Sequence, residues 1–195
     1  MTATHTGMED AELDGGVFGR LIFQWQGDRY THSWLCCETG EKLLESVESD
    51  HAVHWPASPP LQQVYRQNFD DGREVMFGVG MSGRGHWSAS FTLVPDLKSW
   101  IVELACCSPS TPASLASTYR LLGGWHLQSE GLLTCKSGSA SLKLEPLSFQ
   151  SRLNVDGQLL IPERRGAIAP ELRIEPESIV EGAATTQWGF RLRIG

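Results

Sequence analysis

The stretch that most limits what this chain can fold into is His86 to Val94. Its residues alternate without interruption: Trp87, Ala89, Phe91 and Leu93 on one side, His86, Ser88, Ser90 and Thr92 on the other. Side chains of an extended backbone point to opposite faces in turn, so a period of two predicts a strand with one apolar and one polar face. Pro95-Asp96 interrupts the run, as expected of a residue that lacks a ladder donor. The next run, Ser99 to Cys107, places Trp100, Val102, Leu104 and Cys106 together, and Val75, Phe77 and Val79 form an earlier stripe. Residues 73–107 therefore read as three consecutive strands.

Between the first two lies Gly78-Val79-Gly80-Met81-Ser82-Gly83, a literal GxGxxG. A dinucleotide-binding turn needs a helix after the last glycine, and here a strand follows. The glycines are better read as allowing bulges, sharp coiling and close backbone approach, with Ser82-Gly83-Arg84-Gly85 able to close a hairpin.

The same pattern extends outward. Val17 to Gln26 and Arg29 to Cys37 flank Gly27-Asp28, a two-residue loop with glycine first. Lys42 to Ser49 is ambiguous between helix and strand and is assigned to strand. Asp50 to Pro60 is a loop, and Leu61 to Phe69 is joined to the central run by Asp70-Asp71-Gly72. Residues 108–118 mark a composition shift, read as a loop or an internal boundary, with a short helix over Ala113 to Leu122. Further strands are expected at Trp125 to Ser129, Leu132 to Lys136, Ala140 to Glu145 and Phe149 to Val155. Asp156-Gly157 turns the last of these into Gln158 to Pro162, with Glu163 to Gly166 a charged loop. Leu172 to Glu175 reads as a short edge-like strand between prolines. The chain closes on an amphipathic strand with Trp188, Phe190, Leu192 and Ile194 on its apolar face.

The expected fold is all-β and mainly antiparallel: a meandering barrel or sandwich of about ten or more strands, with at most one or two short helices. A chain of 195 residues, 41% hydrophobic with seven tryptophans, can fill one such core, so residues 17–195 are expected to form a single domain. Residues 1–16 carry Glu9, Asp10, Glu12 and Asp14 and no Lys or Arg, and predict a disordered acidic tail. That tail supplies four of the seven net negative charges, and the rest of the chain has no basic stripe. Nucleic acid is thereby disfavoured as a partner, as is an anionic membrane. With no apolar span and no leader-like start, a soluble cytoplasmic protein is expected.

Chemistry is sparse. Cys36, Cys37, Cys106, Cys107 and Cys135 make an odd number with two adjacent pairs; neighbours in a strand face apart, so free thiols are expected rather than a disulfide framework or a metal site. His51 and His54 lack a third ligand. His86 with Cys106 or Cys107 is a conceivable dyad across neighbouring strands, without an oxyanion signature beside it. No cofactor and no catalytic residue is assigned.

Two readings of the polar stripe follow. If it lines an interior, the protein is a barrel for a small apolar or amphipathic ligand, with Arg84, His86 and Trp87 near the mouth and Ser88 and Ser90 inside. If it faces solvent, function lies in loops or in self-association. The function expected is a noncatalytic small-ligand-binding module. The alternatives are an assembly module, including a homodimer, using the final strand or loop 50–60, and an enzyme with a dispersed His/Cys/Ser site.

Overall fold

A computed structural model of the chain describes residues 3–6, 9–129, 131–147, 151–156 and 169–195. In chain order the strands are β1 (Ala3–Thr6), β2 (Ala11–Asp14), β3 (Arg20–Trp25), β4 (Tyr30–Leu35), β5 (Lys42–Ser46), β6 (Gln63–Asn68), β7 (Glu74–Ser82) and β8 (Gly85–Val94). They continue with β9 (Ser99–Ser108), β10 (Ser117–Leu121), β11 (Trp125–Ser129), β12 (Leu132–Ser137), β13 (Ala140–Pro146), β14 (Ser151–Asp156), β15 (Glu171–Pro176) and β16 (Ala184–Ile194). The helical content among the described residues is two 3-10 turns, Gly16–Phe18 and Pro95–Leu97.

The strands form two antiparallel sheets. One has nine strands in the order β1-β6-β7-β8-β9-β16-β13-β12-β11, the other seven in the order β14-β15-β10-β5-β4-β3-β2. Among the described residues each sheet ends on strands with an unpaired edge, so the architecture is a sandwich and not the closed barrel that the sequence left as an alternative. Two apolar faces that each need covering stack on one another; closure would need the outermost strands to meet.

The space between the sheets is filled by large rings. Trp34, at the centre of the seven-stranded sheet, lies 6.0 Å from Phe91, 5.6 Å from Tyr119 and 5.8 Å from Phe190, centroid to centroid. Phe23 meets Phe91 edge-on at 5.1 Å. Trp34, Trp100, Trp125 and Trp188 are all at most 2% exposed, and the ring nitrogens of Trp100 and Trp125 donate to the Phe18 and Leu43 carbonyls. Burial of each such side chain stabilises the fold by about 1.5–3 kcal/mol.

The three-strand run is seen as expected: β7, β8 and β9 are antiparallel neighbours in continuous register, from Val75↔Thr92 to Ser82↔Gly85 and from His86↔Cys107 to Val94↔Ser99. The glycine string also has a steric reason. A Cβ on Gly80 would strike the Pro60 carbonyl, and one on Gly78 would meet Leu61 at 2.9 Å. The buried 58–61 segment links the two sheets here, held by Tyr30 N–H to Leu61 O (2.7 Å), Gln62 N–H to Val79 O (2.8 Å) and Thr118 N–H to Ser58 Oγ (3.0 Å). A buried loop must satisfy its backbone in this way.

Four local expectations are corrected. Residues 11–14, read as part of a disordered acidic tail, form β2 on β3, because Leu13 fills an inward position and is fully buried. The helix expected over Ala113 to Leu122 is replaced by a crossover and β10, whose register with β5 and β15 outweighs the local Ala/Ser/Leu composition. β15 is not an edge: it lies between β14 and β10. β16, suggested as an exposed final strand, is inserted between β9 and β13 with both backbone edges paired. The turn at Asp156-Gly157, the run to Pro162 and the loop at 163–166 lie outside the described residues, apart from Asp156 at the end of β14. Among the described residues no helix is long and apolar enough to cross a membrane.

Candidate binding surface on the nine-stranded sheet

The polar stripe of β8 faces outward. His86 and Ser88 are exposed, Ser90 and Thr92 are half-buried, and their alternating partners Trp87, Ala89 and Phe91 are in the core. Of the residues singled out from the sequence, Trp87 is therefore corrected: at 2% exposure, edge-on to Trp188 at 5.9 Å, it is a core residue and touches no mouth. The other four, Arg84, His86, Ser88 and Ser90, share one outer surface.

Register turns that surface into three rows across the strands. The first runs Tyr65–Phe77–Ser90–Glu103, the second Val79–Ser88–Ala105–Gln187, the third Met81–His86–Cys107–Thr185. The first two bound a groove of about 290 Å³, lined by Phe77, Ser88, Ser90, Glu103, Ala105 and Gln187. Its shape follows from residue size: small side chains on β8 and β9 lie between the taller Phe77 on β7 and Gln187 on β16. Tyr65 stacks on Phe77, with centroids 5.4 Å apart and planes 23° from parallel. The Ser90 hydroxyl donates to Glu103 Oε2 at 3.4 Å.

The third row belongs to a larger depression of about 680 Å³, lined by Met81, Arg84, His86, Cys107, Pro109 and Thr185. Arg84 stands at the tip of the β7–β8 hairpin, where Gly83 takes a left-handed φ of +56°. The tip is held from below. A Cβ on Gly83 would meet the His54 ring at 3.2 Å, and Ser82 Oγ donates to the Val53 carbonyl at 2.6 Å. Thus the loop containing His51 and His54 acts as a support for the hairpin. Among the described residues no three His, Cys, Asp or Glu side chains gather as a metal site.

His86 and Cys107 are directly opposite in register and both exposed, while Cys106 points into the core with its thiol pushed up to about 11 by burial. All five cysteines are free.

A second polar cluster was not visible in the sequence, because its members are distant along the chain. His32 Nε2 and Tyr119 Oη are 2.9 Å apart, Ser117 Oγ donates to Tyr119 Oη (2.9 Å), and Ser46 Oγ accepts from His32 N–H (2.9 Å) while donating to Glu48 Oε1 (2.8 Å). Burial holds His32 down at about 3, Tyr119 up and beyond the usual phenol range, and Glu48 up at about 7. His32 and Tyr119 are enclosed on every side; they order the core and meet no ligand. The only sequence signal for them was the inward phase of Tyr30, His32 and Trp34.

No family model and no curated protein matches this chain. Among solved structures, the heparan sulfate lyase HepC from Pedobacter heparinus is similar over 90% of this chain and 33% of its own, with a TM-score of 0.62 at 10% identity. A heparinase III is similar over 98% of this chain and 36% of its own, with a TM-score of 0.64 at 9% identity. This chain thus spans about a third of the length of these neighbours, and at such identity the likeness is one of fold. It nevertheless overturns the function expected from sequence. A noncatalytic barrel enclosing a small apolar ligand is replaced by an open sandwich similar to segments of a heparan sulfate lyase and a heparinase III, its interior packed with aromatic side chains.

Proposed function

We propose that this chain is a carbohydrate-binding β-sandwich related to those of polysaccharide lyases, and that it holds a polysaccharide against the outer face of its nine-stranded sheet. The observation that carries this reading is the match of nearly the whole chain to segments of a heparan sulfate lyase and a heparinase III. The groove chemistry supports it. A pyranose ring has an apolar face of C–H bonds and an edge of hydroxyls. Phe77, backed by Tyr65, offers an aromatic face for the former. Ser88, Ser90, Gln187 and Glu103 offer donors and acceptors for the latter.

The test is titration of the intact chain, followed calorimetrically, with heparan sulfate, other acidic glycosaminoglycans and neutral polysaccharides. Saturable binding to at least one is expected. A flat titration with all of them overturns the proposal.

A further inference from the structure

Resting on that reading, we infer that the surface is polarised along β8, and that its ligand is an acidic saccharide whose carboxylate or sulfate is held at Arg84 and His86 while a neutral ring lies over Phe77. The argument begins with a census of arginines. Arg20, Arg29, Arg66, Arg73, Arg120, Arg152, Arg173, Arg191 and Arg193 each stand within ion-pair distance of a carboxylate. Arg84 is the one described arginine with no such partner. In a chain of net charge −7, acidic partners are abundant, yet no described carboxylate stands within ion-pair distance of this guanidinium.

Its setting is a built one. Gly83 and the support from Val53 and His54 fix the hairpin tip, and Arg84 lines a depression together with His86 and Thr185. A guanidinium there presents forked donors suited to a planar carboxylate or a sulfate. At the other end of the stripe the sign reverses. Glu103, also outside every ion pair, accepts from Ser90 and sits beside Gln187. An anion placed there would be repelled, whereas sugar hydroxyls can donate to it. From His86 to Ser90 is four residues along a strand, about 13 Å, which is longer than one ring and suits an oligosaccharide lying along the strand.

The experiment uses the full chain and defined oligosaccharides: an acidic one, its desulfated form, its carboxyl-reduced form, and a neutral one. Arg84→Ala, at an exposed turn, is expected to keep the parent melting temperature and to weaken the acidic ligand about tenfold or more, with the neutral ligand unchanged and the salt dependence of binding reduced. Whichever of desulfation or carboxyl reduction abolishes the Arg84→Ala effect identifies the anion seated there. Gln187→Ala is expected to weaken acidic and neutral ligands alike. If the parent binds saccharide but Arg84→Ala leaves every affinity and the salt slope unchanged, the polarised site is wrong and the carbohydrate-binding reading stands. If no saccharide binds the parent, both fall together.

Discussion

The two outer faces of the sandwich are built from the same alternating strands and yet differ in how they treat charge. On the seven-stranded sheet, charges are matched locally. Arg20 meets Glu12, Lys42 and Arg120 share Glu45, and Arg152 and Arg173 share Glu175. On the nine-stranded sheet ion pairs stand toward the flanks, Arg66 with Glu74 and Arg191 and Arg193 with Glu145; across β8 and β9 the described residues form none, and hydroxyls, a small groove and a stacked pair of rings take their place, with Glu103 and Arg84 left single. A face whose charges satisfy one another is complete in water. The face with an unmatched arginine and glutamate and an aromatic platform is the one we propose a ligand covers.

The largest expected effect removes what the faces share. Trp34→Ala empties the centre of the common core and should cost about 3–5 kcal/mol, lowering the denaturant midpoint in a single transition. Two separable transitions would show that the sheets are independent, and the comparison would then concern two units and not two sides of one.

Next comes Glu48, a half-buried acid bonded to Ser46 behind the ion-paired face. Its folded carboxyl, raised to about 7, keeps a proton that the unfolded one releases near 4.5, so its contribution to stability declines as pH rises from about 4.5 to 7. His32 acts in the opposite sense. Held down at about 3 against an ordinary 6.5, it contributes stability that is lost as pH falls from about 6.5 toward 3. Glu48→Gln should remove the first limb and gain about 1–2 kcal/mol at pH 8, leaving the acid-side loss intact. Chemical denaturation at pH 4, 6 and 8 decides this; an unchanged profile contradicts it.

A smaller effect sharpens the contrast on the groove side. Phe77→Ala should weaken saccharide binding by about 0.5–1.5 kcal/mol, the value of an aromatic contact beyond its area, with the far-ultraviolet spectrum unchanged. Equal binding by parent and variant would remove the platform from the site. The smallest effect is on the opposite face. Arg120→Ala breaks an exposed pair and should change stability by about 0.2–1 kcal/mol and saccharide affinity not at all. A loss of affinity there would place the ligand on the wrong side of the molecule in our proposal.

Much of the local architecture was legible residue by residue. The alternation from His86 to Val94 specified β8 and its two faces, and Gly27-Asp28 specified the β3–β4 turn; close backbone approach, one of the readings of the glycines of 78–83, is met at Gly80, whereas Gly78 and Gly83 face the side chains of Leu61 and His54. Arg84, His86, Ser88 and Ser90 were singled out from that same stripe. Trp87 was misplaced because alternation assigns a residue to a face but does not say which face is covered. Phe77, Glu103 and Gln187 were read as strand residues without a role, since what joins them is the register of four strands drawn from across the chain.

Short-range physics accounts for that division. Side-chain alternation and turn chemistry act over a few residues, so the amino-acid order by itself determined the extended segments, their apolar and polar sides, and most hairpins. The meeting of β16 with β9 and β13, the docking of β2 through Leu13, the burial of the 58–61 segment and the pairing of His32 with Tyr119 depend on contacts between distant parts of the chain. Only packing two sheets around one aromatic core decided that the fold stays open as a sandwich, and that the β8 stripe forms the floor of an exterior groove.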